Sequence, residues 1–445
     1  MRLAAALLAL VLFAAACTQQ QATEPPPTAP ATAISTAAPS ATPIAATQPA
    51  ATATLAPTPT ATAALRSTAT TGPDGAIAPS ANVYDEVLGR VSTIRGLQPL
   101  EPIVPQFMSR EMLAVVIAED LEEDLEELLK VQEVLRLLEL IPADADLTEL
   151  LLELYAEQVV GFYDSEKEEL FLIGEPQMEL AVQEEITLAH EYVHALQQQA
   201  FDINAMLESV EDNSDAASAL VALVEGDAVA VQYQYATEHI ELDRLQEFVN
   251  GGEIESSAFD STPYFLQQDL LFPYVEGPTL VLTLRARLAW EGVDDAYARP
   301  PASTEQVLHP QKYLAGEEPI IVELPDAAAA LGEGWEEVYG NVMGEFFLRT
   351  YLETRLGQGT AGPVAQGWGG DRYALFGGPD GQYALVSLIV WDTTADASEF
   401  YDVMVESESV AADDFLGLDG ERVLWIVSPS RRVTDALLTA WPKFW

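Results

Sequence analysis

The chain is short of cysteine, histidine and positive charge, and each shortage removes a class of reading. Of its 445 residues one is Cys and four are His. A single Cys rules out an intrachain disulfide, so stability outside the cytoplasm must come from packing and metal. Lys and Arg total 20 against 71 Asp and Glu, a formal net charge of −51. Such a surface repels nucleic acid and anionic lipid, so no nucleic-acid partner is expected. The apolar run at the N-terminus, Leu3 to Phe13, is too short to span a bilayer stably. What is present is a hydrophobic content of 49 %, ample for one large or two moderate cores.

Met1-Arg2, the apolar run and Ala14-Ala15-Ala16 read together as a secretory signal peptide over residues 1–17. Cys17, directly after those small residues, resembles the lipobox of bacterial lipoproteins, with Ala14 where Leu is more usual. The resemblance implies lipidation of Cys17, hence an extracytoplasmic protein anchored by lipid to a bacterial cell membrane. From Thr18 to about Pro73 the chain is almost wholly Ala, Thr, Pro, Gln and Ser. That composition cannot build a packed core and favours extended conformations, so residues 18–78 are expected to form a disordered stalk.

Beyond the stalk the apolar spacing becomes regular. Met112, Val115, Leu121, Leu125, Leu128, Leu129, Val134 and Leu137 recur at helical intervals among acidic residues, predicting one long helix or two, and Asp146 to Val160 predicts another. These make up an N-terminal helical region over 79–160. Gly161 to Asp164 and Leu170 to Ile173 flank a polar turn and predict a β-hairpin. Helices are then expected from about Met178 to Gln199 and from Ala216 to about Thr237. The tail, 311–445, reads as a small α+β region: a helix around Val338 to Leu356, the Gly-rich segment Gly367 to Tyr373, strands at Ala374–Phe376, Ala384–Trp391 and Arg422–Val427, and helices near Ala397–Val405 and Thr434–Trp441.

The chemistry centres on His190-Glu191-Tyr192-Val193-His194. With four histidines, two spaced by four with Glu directly after the first arise by chance in roughly one such chain in a few hundred. Residues four apart on a helix share a face, so His190 and His194 can aim both imidazoles at one zinc ion, and Glu191 is placed to deprotonate a water beside it. A catalytic site needs a third protein ligand. No third His follows in the short spacing of the metzincins, and Glu225 sits in an otherwise apolar helix where an unpaired carboxylate would be costly. Gly226 is expected to let that helix approach the signature helix closely. Asp227, two residues past Glu225, is expected to face elsewhere.

HEYVH followed by the helical Glu225-Gly226-x-Ala228 resembles the gluzincin clan of metallopeptidases. The resemblance implies a mainly helical, zincin-like catalytic domain over 161–310 with a small edge β-sheet, a single Zn2+ bound by His190, His194 and Glu225, and hydrolysis of a peptide or protein substrate. In zincin folds an edge strand lies above the metal, and the hairpin ahead of the signature is placed either for that or simply to cover the core. Tyr274-Val275-Glu276-Gly277 resembles the Tyr-x-x-Gly segment of zinc aminopeptidases of this clan, whose Tyr donates to the oxyanion. His309 is the alternative for that role, since thermolysin-like members use a His; Ser303 or Thr304 with Gln306 are expected to cap a short helix just ahead of it. The Gly-x-Met-Glu-Asn segment by which the aminopeptidases hold a substrate amine has no counterpart at a suitable distance from His190, which favours an endopeptidase. The order HExxH, Glu-Gly-Asp-Ala, Gly-Trp-Gly-Gly-Asp-Arg-Tyr is also similar to that of uncharacterised bacterial lipoproteins. The competing class is a non-catalytic envelope lipoprotein with a structural zinc site, whose Gly-Trp-Gly-Gly segment contacts a partner.

Overall fold

Apolar residues spaced three and four apart build the first helix, α1 (Val83–Arg95), which buries Tyr84, Val87, Val91 and Ile94. The computed structural model describes residues 83–177, 179–251 and 257–444. The signal peptide, Cys17 and the stalk lie outside the described residues, as does Met178. Among the described residues no helix is long and apolar enough to cross a membrane.

Strand β1 (Gln106–Met108) leads into the stretch read as one helix or two, and it is two. Helix α2 (Arg110–Glu123) starts where the Ser109 hydroxyl accepts from the Met112 amide, and α3 (Leu125–Leu137) follows after a break at Asp124. Helix α4 (Leu147–Gln158) is capped by Asp146, whose carboxylate accepts from the Glu149 amide. The hairpin is present as β2 (Gly161–Asp164) and β3 (Glu169–Ile173), its turn held by Asp164, which accepts from the amides of Glu166 and Lys167. Strand β1 pairs in parallel with the far side of β3, giving the order β1-β3-β2 and leaving β2 at an edge.

Two long helices carry the motifs. Helix α5 (Val182–Phe201) is buried continuously from Glu185 to Gln198, enclosed by α1, β2, β3 and α7 (Ser214–His239). The segment between them contains a short helix, α6 (Ile203–Glu208). Asp202, at φ 55°, ends α5 and caps α6 by accepting from the Ala205 amide. Asn213 caps α7. Helices α8 (Leu242–Gly251), α9 (Ser257–Ser261), α10 (Tyr264–Val275) and α11 (Gly277–Ala298) follow. Helix α11 bends at Leu288–Ala289, where Ala289 takes φ 52° and ψ −150°. Ser303 caps α12 (Thr304–Leu308), as its sequence suggested, and Pro310 opens α13 (Pro310–Ala315).

The C-terminal part holds α14 (Ala328–Leu331), β4 (Glu336–Asn341), α15 (Gly344–Leu356), α16 (Gln358–Ala365), β5 (Trp368–Gly377), β6 (Tyr383–Trp391), α17 (Thr394–Glu406), β7 (Phe415–Asp419), β8 (Arg422–Val427) and α18 (Arg431–Leu438). Its sheet is antiparallel, ordered β4-β5-β6-β8-β7. Two expectations need correcting. The helix expected around Val338 is strand β4 up to Asn341, and Gly344, at φ 80°, is where α15 begins. The Gly-rich segment belongs to strand β5. Its glycines admit another chain segment: a Cβ on Gly370 would lie 2.1 Å from the Ile320 carbonyl oxygen, and the Ile320 amide donates to Gly369 O at 2.6 Å.

One sheet face, with Leu375, Leu385, Ile389 and Trp425, shares a core with α2, α3 and α10; the other, with Phe376, Val386 and Ile426, packs under α18. The fold is thus α+β, mainly helical with two small sheets, and the described residues belong to one compact unit.

Candidate metal centre

One turn of α5 brings His190 Nε2 to 2.9 Å from His194 Nε2. Glu225 reaches them from α7, its Oε2 3.1 Å from His190 Nε2 and 3.4 Å from His194 Nε2. Two imidazole nitrogens and a carboxylate oxygen converging on one point, all buried, are a donor set suited to zinc. The electrostatics agree. Burial alone would raise the Glu225 carboxyl, yet the two histidines hold it down at about 2. Burial lowers His190; in His194 burial is opposed by Glu225, Glu191 and Gln197, which together raise it.

Glu191 sits differently. It is 0 % exposed, and among the described residues no side chain hydrogen-bonds either carboxylate oxygen. Burial pushes its carboxyl up to about 8, with Glu225 adding to the rise and His194 and the Tyr163 main chain opposing it. A buried carboxylate with no side-chain partner is costly, and beside this donor set it fits a group that handles the proton of a water. Tyr163 lies on β2, so the edge strand does run beside the signature helix at Glu191.

A second acidic grouping, Glu305, Glu317 and Asp392, has a different explanation. Lys312 Nζ lies 2.7 Å, 2.7 Å and 2.8 Å from their carboxylates, so an ammonium group already stands where they converge.

Gly226 does admit a close approach, but not of α5. A Cβ there would fall 2.3 Å from the carbonyl carbon of Gly277, the first residue of α11. Consecutive helical residues point about 100° apart, so with Glu225 turned towards α5 its neighbour must face another element. Gly277 in turn closes the Tyr274-x-x-Gly segment. Tyr274 is buried at the end of α10 with its ring centroid 6.4 Å from that of His190. His309 is engaged elsewhere: it stands between α12 and α13, its Nε2 2.8 Å from Glu345 Oε1. Helix α12 binds the far end of α7, where Asp215 accepts from the Thr304 amide, roughly 15 Å along the helix axis from Glu225. His239 is partly exposed near the end of α7, against Tyr235.

The arrangement also contains residues that the sequence did not single out. Gln197 Oε1 is 2.9 Å from His194 Nδ1, and Gln197 Nε2 donates to Val224 O at 2.9 Å, Asp227 Oδ2 at 3.1 Å and the Tyr297 oxygen at 2.9 Å. Asp227 is paired in turn with Arg95, both fully buried, Nε to Oδ1 2.8 Å. Asp227 bonds neither His190 nor His194 directly, but Gln197 connects it to His194. The available signal was the spacing of Gln197, three residues after His194 and so on the same helical face.

A family model described as a domain of unknown function (DUF8575) matches residues 333–438. That span runs from β4 through α18 and holds none of the residues converging at His190. No curated protein and no solved structure matches the chain. Within the matched span the Gly-Trp-Gly-Gly-Asp segment makes internal bonds: Asp371 accepts from the Met343 and Gly344 amides and from the buried Trp368 indole, each at 2.9 Å.

Proposed function

We propose that the protein is an extracytoplasmic zinc-dependent peptidase, best read as an endopeptidase, held at the bacterial membrane through lipidated Cys17. The observation that carries this reading is the convergence of His190, His194 and Glu225 beside a buried Glu191 that no side chain hydrogen-bonds. A zinc ion held by those three residues would supply Lewis acidity towards a peptide carbonyl and a water acidic enough to lose its proton near neutral pH. Glu191 takes the proton of the attacking water and passes it to the leaving amine. Tyr274, beside His190, donates its hydroxyl to the developing oxyanion.

One observation favours a second reading, a non-catalytic lipoprotein with a structural zinc site. His190 and Glu191 are both 0 % exposed, and a structural ion needs no access for substrate whereas a catalytic one does. A peptide therefore reaches Glu191 only if the structure opens. Metal analysis combined with cleavage of casein or a peptide library by wild type and Glu191→Gln separates the two. The peptidase reading expects stoichiometric zinc in both proteins and cleavage by wild type alone. Stoichiometric zinc with no cleavage by either establishes the structural site instead.

A further inference from the structure

The histidine that ligates from the second turn of the motif has its other ring nitrogen occupied, and the donors and acceptors around that contact leave one self-consistent assignment. The amide nitrogen of Gln197 faces the Val224 carbonyl, the Asp227 carboxylate and the Tyr297 oxygen. The first two can only accept, so the amide cannot be turned the other way. Its oxygen is therefore the atom on His194 Nδ1, and that nitrogen must carry the hydrogen. In the neutral ring, the form that binds a metal, Nε2 of His194 is then left with its lone pair directed at His190 and Glu225. Further out, the Tyr297 hydroxyl donates to Asp227 Oδ2 at 2.9 Å, and Arg95 Nη2 donates to Asp294 Oδ1 at 2.7 Å. The guanidinium also lies 4.6 Å over the Trp290 ring.

Stability alone is a weak reason for this assembly, because a fully buried Arg–Asp pair is often no better than well-packed apolar residues. Its geometry serves the metal site in two ways. It selects the His194 tautomer, and through Val224 O it ties α5 to the turn of α7 that presents Glu225. We propose that Gln197 is a positioning residue for the metal, held in place by Asp227, Tyr297 and Arg95, so that α1 is an integral part of the centre. This rests on the zinc-binding part of the proposed function and does not require proteolysis.

The test measures zinc affinity by chelator competition on the whole extracytoplasmic chain, for wild type, Gln197→Met and Gln197→Glu, with zinc-free thermal unfolding alongside. Glu keeps an acceptor for His194 Nδ1–H, whereas Met fills the space without one. The expected order is Glu equal to or tighter than wild type, and Met weaker by about 10- to 100-fold. A role in packing alone predicts the opposite order, because Met buries no extra charge beside Asp227. Met binding as tightly as Glu, or tighter, overturns the proposal while leaving the zinc reading intact. A wild type that binds no zinc overturns the zinc reading itself. Should Gln197→Met not fold, Gln197→Glu decides alone: affinity at or above that of wild type supports the proposal, and a tenfold loss overturns it.

Discussion

Gly226 and Gly277 meet backbone to backbone, and their contact joins the helix that carries Glu225 to the segment that carries Tyr274. A Cβ on Gly226 would lie 2.3 Å from the Gly277 carbonyl carbon, and one on Gly277 2.1 Å from the Ala222 carbonyl oxygen. Both obstacles are main chain, so no side chain can swing aside. Gly226→Ala or Gly277→Ala is expected to cost about 3 kcal/mol or more, at the upper end of overpacking effects. Urea unfolding measures it, and a loss below about 1 kcal/mol would show that α7 and α11 are not in such contact.

Glu225→Ala is expected to abolish stoichiometric zinc. It removes one of three donors and leaves two histidines too few to hold the ion tightly. Metal analysis after dialysis is the check, and full retained occupancy would sink the assignment.

The two oxyanion candidates separate by kinetics. Tyr274→Phe is expected to lower kcat by roughly 100-fold, the scale of about 3 kcal/mol for one lost oxyanion donor. His309→Ala should leave kcat near wild type and reduce stability, because it strands the buried carboxylate of Glu345. Unchanged turnover in Tyr274→Phe would remove Tyr274 from the mechanism.

Asp215 makes stability depend on pH. Burial pushes its carboxyl up to about 8, against the opposing bonds from Thr304 and with Asp371 and Glu305 adding to the rise. Between its ordinary value near 4 and about 8 the folded state holds a proton that the unfolded chain has released. Stability from this group is therefore fully present below pH 4 and is lost as pH rises to about 8, by at most about 1.4 kcal/mol per pH unit. Asp215→Asn keeps an acceptor for Thr304 and cannot ionise. Its melting temperature relative to wild type should rise between pH 5 and pH 8; a pH-independent difference would contradict the linkage.

Ala289 is exposed and holds φ 52° and ψ −150° in the bend of α11, a conformation that glycine adopts without strain. Ala289→Gly is expected to stabilise by about 1 kcal/mol, the strain relieved exceeding the added freedom of the unfolded chain. Chemical denaturation checks the sign, and a destabilised variant would refute it.

Much of the site was legible because its geometry is local. His190, Glu191 and His194 share less than two turns of one helix, and Glu225 stood out as a carboxylate in apolar helical sequence. The hairpin strand β2 and the Ser303 cap were equally local. Strand β4 was misread because Val338 and Tyr339 sit just ahead of a strongly helical stretch, and the left-handed Gly344 that separates the two is visible only as backbone. Gly226 signals a close approach in the sequence, but nothing local says that its neighbour is Gly277 and not the signature helix.

Sequence alone thus determined which residues present metal-ligand chemistry, because helical spacing sets which side chains share a face whatever surrounds them. Only the tertiary structure decided what those residues meet. Arg95, Gln197, Asp227 and Tyr297 lie far apart along the chain, and neither their assembly behind His194 nor the Gly226–Gly277 contact has a local periodicity to announce it. The burial of Glu191 is of the same kind. It depends on several elements closing around α5, and that enclosure, not the motif, pushes its carboxyl up to about 8.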